Sequence, residues 1–234
     1  AQRWEMARLH LLRRTWHGSS FEHGTRVLIE RWAPPAAQFG LEARWTFTPV
    51  DGKNEGAFAG VALPGSCLLV KVEMTPYGEW PERIPRTGVR LRIPGTEWTA
   101  SWVGETDIAY SDLPGANPDG FGCAELKDLW DVGVKPQEGG HRPGLKVLEL
   151  RGGERALIII PRSEMGWSAS PWSEREFAQA AHWEDLPKSN RTFVWLDAIQ
   201  DGIGTRSCGP DARPEFGARM TARTMEFILC VTDL

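Results

Sequence analysis

Hydrolysis of a glycosidic bond needs two carboxyl groups, one to protonate the leaving oxygen and one to attack or to activate water. The chain holds 31 acidic residues, and two sets lie close enough in sequence to consider. These are Glu105, Asp107 and Asp112, and Asp197 with Asp201. Neither spacing sets one carboxylate opposite another across a sugar, so abundance yields no pair. Glu138 and His141, in PQEGGHRPG from 136 to 144, are a tighter combination. The glycines between them would let both reach one ligand or ion, and a histidine with a carboxylate can move protons. The structural alternative has Glu138 accepting backbone N–H groups while Arg142 pairs with a carboxylate. His10, His17 and His23 also cluster in sequence, yet on extended strands they spread over ~20–40 Å. They read as surface or satisfied core histidines rather than metal ligands.

Other chemistries are poorly supported. MGWSAS at 165–170 gives Gly-x-Ser without the closing glycine of a nucleophile elbow. No phosphate-binding Gly-x-x-x-x-Gly-Lys-Ser/Thr appears, and no dinucleotide-type glycine triplet follows a strand. The twelve tryptophans against two tyrosines are unusual. A flat indole matches the C–H face of a sugar while its N–H still hydrogen-bonds. A sugar site uses only a few rings, so most of the twelve read as packing residues.

These side chains must be positioned by short strands. Thr25–Ala33, Leu41–Val50, Ser66–Thr75 and Thr87–Ile93 alternate apolar and polar residues, as half-buried strands do. In the first, Val27, Ile29 and Arg31 alternate with Leu28, Glu30 and Trp32. Leu9–Trp16, Glu97–Val103, Gly144–Leu150, Arg155–Ile160, Gly166–Ser170, Arg191–Ile199 and Thr224–Val231 complete the set. Trp4–His10 reads as one helical turn, residues 53–60 are glycine-rich and ambiguous, and 107–122 reads as a loop. One helix is expected over Ser173–Leu186, capped by Ser173 and stopped by Pro187. A dozen strands, many turns and one short helix predict an all-β fold, a large antiparallel β-sandwich.

The stretch Thr192–Phe216 stands out. An apolar strand runs into Asp201-Gly202-Ile203-Gly204 and then Ser207-Cys208-Gly209-Pro210. Glycines permit backbone angles that a side chain forbids, and loops held this way by a sheet are frequent binding elements. A merely structural strand–loop–strand fits the local pattern equally well.

Composition bounds the rest. At 234 residues, 41% hydrophobic and 25% charged, with a formal net charge of −4, the chain reads as one globular sandwich domain. Charges of both signs are interspersed, which argues against a nucleic-acid partner. No apolar run reaches the ~18 residues of a membrane helix, so no membrane role is expected. The four cysteines, 67, 123, 208 and 230, stand singly. With no Cys-x-x-Cys spacing and no signal-peptide h-region at the start, nothing demands disulfides, though the cysteines leave them open, and a reduced, cytoplasmic setting is the simpler expectation.

TFVWLDAIQDGIGTRSCGPDARPEFG at 192–217 resembles the C-terminal signature of family 2 β-galactosidases, in their small-chain β-sandwich domain. Four further stretches resemble that domain in the right order: IPRTG at 84–88, Trp102-Val103-Gly104 to Tyr110-Ser111-Asp112, PQEGGHR at 136–142, and Trp167–Pro171 with the helix after it. The resemblance implies a supersandwich of the galactose-mutarotase-like type. It implies the C-terminal domain, 1–234, of a retaining enzyme that hydrolyses terminal β-galactosides. The two catalytic glutamates of such enzymes lie in a preceding barrel, so no catalytic residue is expected here.

The same resemblance implies that Asp201, Gly204, Cys208, Gly209, Glu138 and His141 approach the aglycone side of the substrate. In several relatives a Trp stacks on the sugar where this chain has Cys208. It further implies no cofactor in this chain, with Mg and Na in other domains of the parent enzyme. The implied partners are the β-galactoside, the barrel and further copies of the full enzyme. The chain departs from the family pattern at Ile108, Leu113, Gly139 and His141. The alternative is a stand-alone carbohydrate-binding or mutarotase-like sandwich using His141 and Glu138.

Overall fold

A computed structural model describes residues 2–50, 63, 65–110, 117–130, 133–137, 139–202, 210 and 212–233. A nine-stranded sheet runs β1 (Arg13–Glu22), β2 (Thr25–Ala33), β3 (Gly40–Val50), β4 (Ser66–Tyr77), β12 (Arg223–Asp233), β9 (Arg155–Pro161), β8 (Val147–Gly152), β6 (Thr99–Glu105) and β7 (Asp119–Glu125). A three-stranded sheet runs β10 (Gly166–Ser170), β11 (Arg191–Gln200) and β5 (Arg86–Pro94). Every strand pair is antiparallel. The all-β sandwich expected from the alternating runs is what forms.

Alternation decides which side chains enter the core. Val70, Val72 and Met74 of β4, Met225 and Phe227 of β12, and Leu148 and Leu150 of β8 point from the large sheet to the small one. Val194 and Leu196 of β11 answer them, both fully buried. Each such aliphatic side chain stabilises the fold by about 1.5–3 kcal/mol relative to exposure. β11 lies between β10 and β5, so nearly every residue from Thr192 to Asp197 is buried. That explains why its sequence reads as a continuous apolar run.

Three expectations need correcting. Residues 107–122 read as a loop, but β7 starts within them at Asp119 and pairs with β6. Its sequence, DGFGCAE, hides the strand because its inward positions are small. A Cβ at Gly122 would lie 2.1 Å from the Trp102 ring, so the indole itself fills that position. The helix expected to reach Leu186 is shorter: α2 covers Glu174–Gln179 after α1 at Gln2–Met6. Ser173 does cap α2, in a reciprocal box with Glu176. Asp185 then accepts the N–H groups of Ala181 and His182 at 3.0 and 2.8 Å, which starts a separate 3-10 turn at Trp183–Asp185. Finally, Cys67 and Cys230 face each other across β4 and β12 and are joined as a disulfide. The expectation of reduced cysteines missed this because the pairing partner lies 163 residues away.

Candidate functional site

β11 ends at Asp197–Gln200, where the small sheet meets the glycine-rich segment. Gly88 of β5 lies so close to β11 that a Cβ there would sit 2.1 Å from the Leu196 carbonyl. That approach brings Arg86, the first residue of β5, across to Asp197. Its Nε donates to Asp197 Oδ1 at 3.0 Å and its Nη2 to Oδ2 at 2.6 Å, a bidentate pair. Nη2 also donates to Gln200 Oε1 at 3.1 Å. The guanidinium lies over Trp195, 5.4 Å from the ring centroid. His141 Nδ1 lies 3.3 Å from Asp197 Oδ2. Burial pushes the Asp197 carboxyl up, yet the charge of Arg86, the neighbouring imidazole and the Arg86 hydrogen bonds outweigh it and hold the group below the usual carboxylate range.

Asp201 belongs to a second arginine. Arg83 Nε donates to Asp201 Oδ1 at 2.9 Å, and the Ala218 N–H donates to the same oxygen at 2.8 Å. Arg3 Nη2 reaches Oδ2 at 3.3 Å. Arg83 continues to the Ala212 carbonyl at 3.1 Å and the Gly202 carbonyl at 3.4 Å. One guanidinium therefore ties together the two chain segments on either side of 203–211. The Asp201 N–H adds a bond to the Pro85 carbonyl at 2.9 Å.

Of the six residues predicted to approach substrate, Asp201 and His141 are both buried and held as just described. Gly204, Cys208, Gly209 and Glu138 lie outside the described residues, as does Asp112. Asp197 and Asp201 are each committed to their own arginine, which is not the arrangement of a glycosidase pair. Ser168 is 1% exposed and accepts from Arg86 Nη2 at 3.4 Å. His10 sits in a 3-10 turn, His17 on exposed β1 and His23 in the following turn. Among the described residues no three His, Cys, Asp or Glu side chains converge on a possible metal position. No helix among them is long and apolar enough to cross a membrane.

The tryptophans divide. Trp102 and Trp167 meet edge-to-face in the core at 5.4 Å, while Trp130, Trp172 and Trp183 surround Phe177 of α2. Trp4, Trp16, Trp32, Trp45, Trp80 and Trp195 line a cleft of about 810 Å³ between β1–β4 and the small sheet. Glu30 lies among them and is only 6% exposed. Arg83, Arg86 and Glu30 were missed as site residues. Glu30 left a signal as a carboxylate in phase with Leu28 and Trp32 on a strand, and Arg86 left one as part of IPRTG at 84–88.

The family described as Beta galactosidase small chain matches residues 2–229. A β-galactosidase of Arthrobacter sp. (strain B7) is 31% identical over 218 residues, covering 90% of this chain and 21% of that protein. A β-galactosidase of Kluyveromyces lactis is 22% identical over 235 residues, covering 97% of this chain and 21% of the relative. The chain thus spans about a fifth of the length of the relatives it matches. A solved structure from Escherichia coli K12, assigned as an aldose 1-epimerase, aligns with 94% of this chain and 69% of its own, at 14% identity and a TM-score of 0.48. With 2–229 of its 234 residues matched, the chain belongs to the β-galactosidase small-chain family.

Proposed function

We propose that this chain is a single C-terminal sandwich domain of a retaining β-galactosidase. It holds the segment around Gly204, Cys208 and Gly209 against the aglycone side of a substrate whose two catalytic glutamates come from a preceding barrel. The observation that carries this reading is the clamp at Arg83. A loop that must meet a substrate in the same place each time gains from fixed ends, because positioning is lost when a contact shifts by an ångström. The Arg83–Asp201 pair fixes both ends at once. Asp201 and His141 act as positioning residues, and Glu138 lies just before His141 in sequence.

On this reading the proton-transfer groups belong to the barrel. Asp197, held ionised by Arg86, cannot protonate a leaving oxygen. The purified chain, assayed at high concentration on 2-nitrophenyl β-D-galactopyranoside, should release no nitrophenol above the protein-free rate. Turnover abolished by substituting one of its own carboxylates would overturn the reading.

A further inference from the structure

The cleft between β1–β4 and the small sheet has a use that the galactosidase reading does not absorb. Three of its indoles are fixed by carboxylates. Trp32 Nε1 and Trp45 Nε1 both donate to Glu30 Oε1 at 3.0 Å. Trp195 Nε1 donates to Glu174 Oε1 at 2.6 Å. Their polar edges are thus satisfied by the protein, and the rings become rigid apolar platforms. Trp16, 55% exposed on edge strand β1, sits directly across from Glu30 in the register.

The same carboxylate has an oxygen to spare. Glu30 Oε2 receives no hydrogen bond among the described residues, and its nearest cation, Arg14 Nη1, stands 3.6 Å away. An ionised carboxylate has about four lone-pair sites, and Oε1 uses two of them. An acceptor facing a cleft needs a donor when a ligand displaces its water, so the cleft suits a ligand that brings O–H groups. Each arginine of the wall already has a carboxylate: Arg14 with Glu30, Arg86 with Asp197 and Arg90 with Glu174, while Glu5 adds a further negative group. An anionic ligand would find no uncompensated guanidinium there. A hydrocarbon chain would leave Glu30 Oε2 unsatisfied. A ligand with hydroxyls and an apolar face meets both the free carboxylate oxygen and the indole faces, and needs no charge to do so. The volume, about 810 Å³, is in the range of small-molecule sites.

We propose that this cleft is a binding site for a neutral glycan, with Trp16, Trp32 and Trp45 as stacking surfaces and Glu30 Oε2 as the acceptor of a ring hydroxyl. The site is built from residues of this chain and does not depend on the galactosidase reading. Binding is measured on the whole chain by calorimetry and tryptophan fluorescence, with lactose, cellobiose and maltose as probes and decanoate as the apolar comparison. At least one sugar should saturate at millimolar concentration. Its affinity should fall about tenfold or more in Glu30→Gln, which keeps an acceptor for the two indoles but turns an amide towards Arg14. Trp16→Ala should weaken it similarly. Its strand is at the sheet edge, so that variant retains the fold and decides the matter if Glu30→Gln does not fold. Saturation by decanoate alone, no saturation by any sugar, or sugar binding unchanged by Trp16→Ala would each overturn the proposal.

Discussion

Replacing Arg86 by methionine should destabilise the fold by about 3–5 kcal/mol, the usual cost of leaving a buried carboxylate without its partner. Asp197 is 2% exposed, and Arg86 supplies both of its strong hydrogen bonds. The arginine also satisfies Gln200 and covers Trp195, so its loss opens the junction of β5 with β11. Asp197→Asn should cost less, because the amide oxygen still accepts from the guanidinium. Urea unfolding followed by tryptophan fluorescence measures both, and the midpoints should fall in that order. Acid behaviour is a second readout. The folded pKa of Asp197 lies below its unfolded value. Its contribution is therefore complete above the unfolded value and is lost as pH falls through the depressed folded value. In Asp197→Asn the acid-side loss of stability should be correspondingly smaller. Equal midpoints for Arg86→Met and wild type would contradict this account of the junction.

Arg83→Met should have a comparable energetic effect with a different reach. Arg83 and Asp201 have side chains only 10% and 3% exposed. Removing the guanidinium leaves a buried carboxylate with Arg3 alone as its described cation, at 3.3 Å. The expected cost is about 3 kcal/mol or more, because a charged group loses its close partner. It should appear first as local opening, since the bonds lost belong to the two segments flanking 203–211. Hydrogen exchange tests this directly. The Ala218 amide, which donates to Asp201 Oδ1, should lose protection, while Val194 and Leu196 in β11 keep theirs. Uniform loss across the sheet would show that the clamp is part of the global fold rather than a device for the loop.

The two arginines also mark the limit of what could be read from the sequence. The strands were legible where alternation is strong, as in β3, where Leu41, Ala43, Trp45 and Phe47 share a face. β11 was legible as a continuous apolar run because it is buried on both sides. The cap of α2 was legible in Ser173 and Glu176. β7 was not, because glycine replaces the side chain that would have shown its inner face. The end of α2 was not, because Asp185 competes for the chain from outside the helix. Asp197 and Asp201 were visible as acids, but their partners lie 111 and 118 residues away. No spacing rule connects residues so distant, and only the sheet register brings Arg86 to Asp197. Four of the six predicted site residues, Gly204, Cys208, Gly209 and Glu138, lie outside the described residues. For them the reading rests on the clamp at Arg83 and on family membership. Glu30 shows the opposite case, where a charge in an apolar phase was visible and its importance came only with the two indoles that converge on it.

The most direct test is a segment exchange. In the Arthrobacter sp. (strain B7) β-galactosidase, the stretch that matches this chain over 218 residues is replaced by this chain. Hydrolysis of 2-nitrophenyl β-D-galactopyranoside is then compared with that of the enzyme lacking the stretch. The account predicts that the exchange restores turnover, that Arg83→Met in the inserted chain weakens it, and that Asp197→Asn does so only in proportion to its loss of stability. A folded exchange protein no more active than the truncated enzyme would contradict it.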